Sequence, residues 1–379
     1  MKIIHIVLSG PFTEGMTYQE NLLPIQNALD GHNVLIVASC LGWDKGKIIR
    51  MTECDKIIQF GIRLIRIDYD NIINSYVSEK VRKSHKLMPI IQKFAPDIIF
   101  LHDSQVFEII NIAKYKNNHS SIKFIVDFHS DYYNSARSLL SYIFLHRFLY
   151  NALLRNAEKS IDRMYCISRS AKTFLQEVYN YRSNNIEIFP LGGFSKKHTQ
   201  YERCAIRNAL GYSSSDIILL HSGKINKNKK TKELLEVFNR KDYSNIKMII
   251  IGDISMDYMN VIMPLIEQND RVKYLGWKSG EELLEYLSIS DVYIQPGSAS
   301  ATLQNAICAG NAVIVSQTDI YEDIVKNNGW IISDVSEIDH ILEEIERSPN
   351  ILVKMKRESI YIAETVLDYK ILANRMYNV

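Results

Sequence analysis

Along the chain, short runs that are apolar almost throughout alternate with longer segments whose apolar residues recur every three or four positions. The runs are Ile3–Ser9, Asn33–Ser39, Asp97–His102, Lys123–Asp127 and Met164–Ile167, then, after Pro190, Ile217–Ser222, Lys247–Gly252, Val272–Leu275, Val292–Gln295 and Ala312–Ser316. A strand apolar on both sides is buried on both faces, as in a parallel sheet. The segments between them, among them Tyr18–Leu29, Val81–Lys93, Leu139–Asn156, Lys232–Asn239 and Glu281–Leu287, have helical spacing. Strand and helix in alternation predict an α/β chain of doubly wound parallel sheets.

Two such sheets are expected. The first series closes with Ile186–Leu191 and the turn Gly192-Gly193. A polar, basic stretch from Ser195 to Arg207 follows, and a fresh strand opens at Ile217. This places one Rossmann-like domain at 1–193 and a second at 194–357, with a helical tail, 358–379, able to pack on either. Ligands of open parallel sheets sit beyond the carboxyl ends of the strands, so a cleft between two such edges is where function is expected.

Composition narrows the classes. The 379 residues are 46% hydrophobic and 23% charged, near globular averages, and 16 Gly and 8 Pro leave no room for long flexible linkers. A net charge of +2 gives no case for a nucleic-acid partner. The five cysteines, Cys40, Cys54, Cys166, Cys204 and Cys308, are scattered, which argues against a disulfide framework or a zinc site and for a reducing cytoplasm. The run Ile3 to Leu8 is broken by His5 and is too short for a signal-peptide core. No run reaches the length of a membrane span. The expectation is a cytoplasmic protein that can touch the membrane's inner surface. Metalloprotease, α/β-hydrolase and P-loop motifs are missing.

Four segments carry candidate chemistry. After the first strand, Ser9-Gly10-Pro11-Phe12-Thr13-Glu14-Gly15 leads to Thr17 and Glu20, spaced as a capping box, so Gly15 lies in a loop that lets an anion approach a helix start. After Ser222 come Gly223, Lys224, Lys227, Lys229, Lys230 and Lys232, a lysine-rich loop placed for a phosphate. After Gln295, the small residues of Gly297-Ser298-Ala299-Ser300-Ala301-Thr302 precede a helix, with Ser300 as its expected N-cap. The fourth segment, Asp127-Phe128-His129-Ser130-Asp131, presents His129 as a donor to a sugar or phosphate oxygen. The plain alternatives are an ordinary loop, a solvated charge run, a serine-rich turn and a structural histidine. Asp68-Tyr69-Asp70 is a D-x-D, a weak metal–nucleotide signal. The helix Leu139–Leu154 sets Arg137, His146, Arg147 and Arg155 among aromatic residues. It fits either a core helix or one resting on an anionic bilayer.

These motifs, taken in order, resemble the retaining GT-B glycosyltransferases of glycosyltransferase family 4, over nearly the whole chain. Gly223-Lys224, Lys229 and Leu234-Leu235 are similar to the family's phosphate motif. Ile250-Ile251-Gly252-Asp253 resembles its next strand and turn, and Val272-Lys273-Tyr274-Leu275-Gly276-Trp277 its base-binding turn. Asp291 to Pro296 resembles the donor-site strand, and Gln304-Asn305-Ala306-Ile307-Cys308-Ala309-Gly310 the donor-site helix. Tyr18 to Pro24 is similar to members encoded with bacterial surface-polysaccharide genes, and Phe189-Pro190-Leu191-Gly192 resembles the domain junction. Two departures stand out. The family's two glutamates, eight residues apart, would fall at Gly297 and Asn305, and its phosphate-site arginine is Lys224.

The resemblance implies transfer of a sugar from a nucleotide-sugar donor to a saccharide acceptor, which can be linked to a lipid diphosphate. It also implies retained configuration, no cofactor and no metal. The first domain would hold the acceptor and the second the donor. His129, Lys224 and Lys229 are the expected catalytic residues. Gly15, Gly223, Trp277, Ser298, Ser300, Thr302 and Asn305 are the expected donor contacts, with backbone N–H groups of Ser300–Thr302 over the diphosphate and Asn305 on a ribose. A same-fold epimerase or phosphorylase, and a non-catalytic partner subunit, stay open as alternatives.

Overall fold

The computed structural model of the chain describes residues 1–44, 47–132, 135, 138–194, 198–318 and 320–379. Arg137 and the start of the basic stretch at Ser195 lie outside the described residues. The chain forms two compact units, Met1–Pro190 with Leu372–Val379, and Leu191–Ile371.

The first unit is built on β1 (Lys2–Val7), β2 (Asn33–Ser39), a small hairpin of β3 (Leu41–Asp44) and β4 (Lys47–Arg50), then β5 (Cys54–Ile57), β6 (Arg63–Ile67), β7 (Ile98–Leu101), β8 (Lys123–Phe128), β9 (Arg163–Cys166) and β10 (Ile186–Ile188). Its sheet has the order β10-β9-β8-β7-β1-β2-β6-β5. All pairings in it are parallel except β5 with β6. Alternate residues feed two cores. Ile4, Ile6, Leu35, Val37, Ile99 and Leu101 face one. Val7, Val34, Ile36, Ala38 and Leu64 face the other. Burial on both faces is what made these strands read as unbroken apolar runs.

The second unit has β11 (Ile217–Ser222), β12 (Ile246–Ile251), β13 (Val272–Tyr274), β14 (Val292–Gln295), β15 (Ala312–Ser316) and β16 (Gly329–Ile332) in the parallel order β13-β12-β11-β14-β15-β16. Leu219, Met248, Ile250 and Ile294 fill one core, and Leu220, Ile249, Tyr293 and Val313 the opposite one. The helix Gly280–Ile289 starts at a true capping box of Ser279 and Glu282, and Gln200–Ala209 at one of Thr199 and Glu202.

Several expectations need correction. The Thr17–Glu20 capping box does not form: the helix begins at Gln19 with no side-chain cap. The pattern Val81–Lys93 is two helices, Ser75–Val81 and Leu87–Phe94, parted where Arg82 takes a left-handed φ of 54°. Strands β3 to β6 and β16 escaped the apolar pattern. In β6 the arginines break the run, yet Arg66 is buried. It donates to the Ser39 and Phe12 carbonyls and lies 5.4 Å from the Phe12 ring. That is how a strand can bury a charge.

The helical stretch after residue 138 is wound as a π-helix over Ser141–Tyr150 and continues as Asn151–Ala157. His146, Tyr150, Leu145 and Leu149 face the core. Leu139, Leu140, Phe144 and Phe148 face outward, each more than 60% exposed. From Ser138 to Ala157 the segment contains two arginines and no carboxylate.

Candidate functional site

In the second unit the strand order reverses between β11 and β14, the switch point at which open α/β sheets bind ligands. His221 ties the two strands together there. Its Nδ1 donates to the Ile294 carbonyl at 2.8 Å, and its Nε2 accepts from the Thr231 hydroxyl at 2.9 Å. Burial lowers its pKa to about 4, so it stays neutral.

The lysine loop leaves β11 through Gly223, at φ 129°. Asn226 caps a tight turn by accepting from the Asn228 N–H, and Lys230, at φ 53°, starts the helix Thr231–Phe238. Lys224 is exposed. Lys229 is only 8% exposed, and its ammonium donates to the carbonyls of Ser298 at 3.0 Å and Ala299 at 3.2 Å. Burial lowers its pKa to about 8. It is a desolvated cation whose acceptors are neutral carbonyls, so an anion arriving beside it gains more than it would in water.

The small-residue loop is stitched from below. The Ser298 N–H donates to Asn228 O at 2.8 Å, Gln295 Nε2 to Ser298 O at 2.8 Å, and Ser316 Oγ to Gly297 O at 2.8 Å. A Cβ on Gly297 would stand 2.3 Å from Asn228 O, so only glycine lets the two loops meet. The helix that follows is Thr302–Cys308, with Ser300 two positions before it. Ser300 N–H donates to the Tyr321 hydroxyl at 3.0 Å, and Thr302 N–H to Ser300 Oγ at 3.4 Å. The backbone N–H groups of Ser300 and Thr302 are thus engaged within the loop. Three successive loops also interlock. Gly223 N–H donates to Ile251 O and Gly252 N–H to Gly276 O, and a Cβ on Gly252 would fall 1.9 Å from Gly223 O.

The fold therefore gathers Gly223, Lys229, Ser298, Ser300 and Thr302 at one strand edge. Trp277, 64% exposed, stands just past Gly276. Asn305 is different: it is buried, and its Oδ1 accepts from the Phe194 N–H at 2.9 Å. That bond ties the helix Thr302–Cys308 to the segment after the Gly192-Gly193 turn. Tyr293 and Gln295, which the sequence offers only as part of the donor-site strand, support the loop with Tyr321, which no motif marks.

In the first unit the order reverses between β1 and β7. Asp127, fully buried at the end of β8, is the hub. Its Oδ2 accepts from His129 Nε2, His102 Nδ1 and Gln19 Nε2, each at 3.0 Å, and its Oδ1 accepts from the Asp103 N–H at 2.6 Å. Burial opposes charge on both partners of the Asp127–His129 pair. The two imidazoles nonetheless hold the Asp127 carboxyl well below the usual range. Asp127, with Asp103 and Glu20, holds His129 up at about 9. The His129 side chain keeps 30% exposure beside the buried carboxylate. Gly15, at φ 77°, lines a separate cavity of about 400 Å³ with Phe12, Glu14 and Lys56. Asp68 pairs with Arg50, and Asp70 with His85.

The model of the family described as Glycosyltransferase Family 4 matches residues 28–192, and that of Glycosyl transferases group 1 matches residues 202–358. A search of curated proteins returns no match. Among solved structures, a glycosyltransferase from Rickettsia africae is similar with a TM-score of 0.70 at 15% identity, over 100% of this chain and 97% of that one. HepE from Anabaena in complex with UDP and glucose has a TM-score of 0.66 at 13% identity, covering 100% and 98%. WaaG, a glycosyltransferase involved in lipopolysaccharide biosynthesis, has a TM-score of 0.66 at 14% identity, covering 98% of each chain. The two family matches follow one another along the chain and fall one on each sheet, and the chain is a glycosyltransferase of the GT-B fold.

Proposed function

We propose that the chain moves a hexosyl group from a nucleotide-sugar donor to a saccharide acceptor with retained configuration, in the synthesis of a bacterial surface polysaccharide. The observation that carries this reading is the buried ammonium of Lys229 at the switch point, with exposed Lys224 on the same loop. The leaving nucleoside diphosphate gains negative charge as the glycosidic bond breaks. A cation already stripped of water stabilises that charge without reorganising. The serine and threonine hydroxyls of Ser298, Ser300 and Thr302 add donors without adding negative charge. In the front-face course the departing phosphate takes the acceptor's proton, so the places of the two family glutamates can be filled by Gly297 and Asn305. His129, held cationic by Asp127, would donate to a sugar or phosphate oxygen. Lysines do the neutralising in this reading, so turnover should survive a chelator.

HepE binds UDP and glucose, and WaaG acts in lipopolysaccharide biosynthesis. The first supports a uridine-nucleotide donor, and the second a surface-polysaccharide acceptor. The outward stripe Leu139, Leu140, Phe144 and Phe148, on a stretch with arginines and no carboxylate, supports contact with an anionic membrane face where a lipid-linked acceptor would lie.

The test is a thermal-shift screen of nucleoside diphosphates and nucleotide sugars, followed by product analysis with the best donor. Ligand-linked stabilisation is expected. Epimerised donor without acceptor would favour the epimerase reading, and no nucleotide binding at all would favour a non-catalytic subunit.

A further inference from the structure

His129 is not the end of the polar network in the first unit. From Asp127 a line of buried side chains runs inward. His102 Nε2 and His5 Nδ1 are 3.0 Å apart, and His5 Nε2 and Asn27 Oδ1 are 2.7 Å apart. Asn27 Nδ2 donates to the Tyr377 hydroxyl at 2.8 Å, and that hydroxyl donates to Asp30 at 2.7 Å. His5, Asn27 and Asp127 are fully buried, and His102 is 4% exposed.

Each link has one permitted direction. The Tyr377 hydroxyl has a single proton, and a carboxylate can only accept, so that proton goes to Asp30. Burial and the Asp30 bond raise the Tyr377 pKa, which keeps the phenol intact. Tyr377 therefore accepts from Asn27 Nδ2, which turns Asn27 Oδ1 toward His5. His5 Nε2 must then carry a proton to give. Burial, followed by the charge of His102, lowers the His5 pKa to about 3, so His5 is neutral and its Nδ1 accepts. His102 Nε2 must supply that proton, and His102 Nδ1 must supply another to Asp127. The orientation of one amide thus places two protons on an imidazole two side chains away. Reversing the amide reverses the links from Asn27 through His5 to His102 and leaves His102 with one proton, the Nδ1–H that Asp127 accepts.

We propose that His102 is a positioning residue for His129, held as an imidazolium by a relay whose direction is set at Tyr377. With two cations on one carboxylate, Asp127 is shared, and His129 is oriented without being locked into a private ion pair. Asp103 and Glu20 act on the His129 end, and Asp30 closes the other. The link to turnover rests on the proposed role of His129, whereas the protonation pattern does not.

The test uses the full chain labelled with ¹⁵N-histidine and read by long-range ¹H–¹⁵N NMR at pH 7, with signals assigned from single-histidine variants. The wild type should show His5 neutral with its proton on Nε2, and His102 protonated on both nitrogens. Tyr377→Phe keeps the ring that packs edge-on against His32 but removes the hydroxyl. It should convert His102 to a neutral Nδ1–H form and shift the His129 midpoint upward from about 9. Adding Asn27→Asp, an acceptor only, should restore the two-proton signature. In the transferase assay Tyr377→Phe should lower kcat on the order of tenfold with KM little changed. A wild-type His102 with one unprotonated nitrogen overturns the proposal, as does a Tyr377→Phe spectrum unchanged at His5 and His102. The expected spectra with unaffected turnover would instead overturn the assigned role of His129. If Tyr377→Phe does not fold, the wild-type spectrum still decides.

Discussion

The ammonium of Lys229 lies 3.0 Å from the carbonyl oxygen of Ser298, and among the described residues it pairs with no carboxylate. The two candidate lysines are therefore unequal. Lys224→Ala should leave stability within about 0.5 kcal/mol, as at other exposed sites, and lower turnover on the order of 10²-fold. Lys229→Ala should lower turnover at least as far and also loosen the loop at Ser298 and Ala299. Steady-state kinetics beside thermal melts would separate the two. Full activity in the double variant would end the phosphate-site reading.

The lowered pKa of Lys229 sets a pH dependence with opposite signs for binding and folding. Diphosphate affinity should fall as pH rises through about 8, where the free lysine loses its proton, with a limiting slope of about tenfold per pH unit. The unfolded lysine titrates near 10.5, so the unfolded chain holds the extra proton between these values, and stability should rise with pH across that window. Calorimetric titration of UDP at several pH values would check the first effect, and Lys229→Met should flatten it.

Gly297→Ala should cost about 1–3 kcal/mol, the usual scale of overpacking. The added carbon meets Asn228 O at 2.3 Å and Lys229 O at 2.6 Å, both backbone atoms that cannot swing away. Urea unfolding gives the stability loss, and nucleotide binding should weaken with it.

Asn305→Ala leaves the Phe194 N–H without its acceptor. The expected loss is about 1–3 kcal/mol of folding stability, from an unsatisfied polar group. A purely ribose-binding Asn305 would instead weaken nucleotide affinity and leave the melting temperature unchanged.

The Asp127–His129 pair has its own window. His129 rises from 6.5 unfolded to about 9, so its contribution is complete below 6.5 and lost as pH climbs through about 9. The stability gap between wild type and Asp127→Asn should narrow over that range in pH-dependent melts.

Much of the fold was legible because β1, β2, β8, β11, β12, β14 and β15 are buried on both faces, which leaves an unambiguous apolar run. What failed was local. Arg66 hid β6, since a buried arginine looks like a surface one until its carbonyl partners are known. Arg82 broke a helix through a backbone angle that no residue type announces. At the site, the loops after β11 and β14 were found from glycine, lysine and serine spacing. Their interlock, the burial of Lys229 and the internal use of the Ser300 and Thr302 amides depend on contacts across dozens of residues. His5 left a trace: a histidine inside an apolar strand is costly unless hydrogen-bonded at both nitrogens. Its partners His102 and Asn27 lie 97 and 22 residues away.

The glycine interlock at Gly223, Gly252 and Gly276 has an evolutionary corollary. The curve of these loops is held by main-chain groups, which every amino acid supplies. Side chains on the rim are thereby released from architectural duty. A lineage could exchange Trp277 or Ser298 for other residues and test new bases or sugars without first rebuilding the cradle, so donor preference in this scaffold should drift faster than its shape.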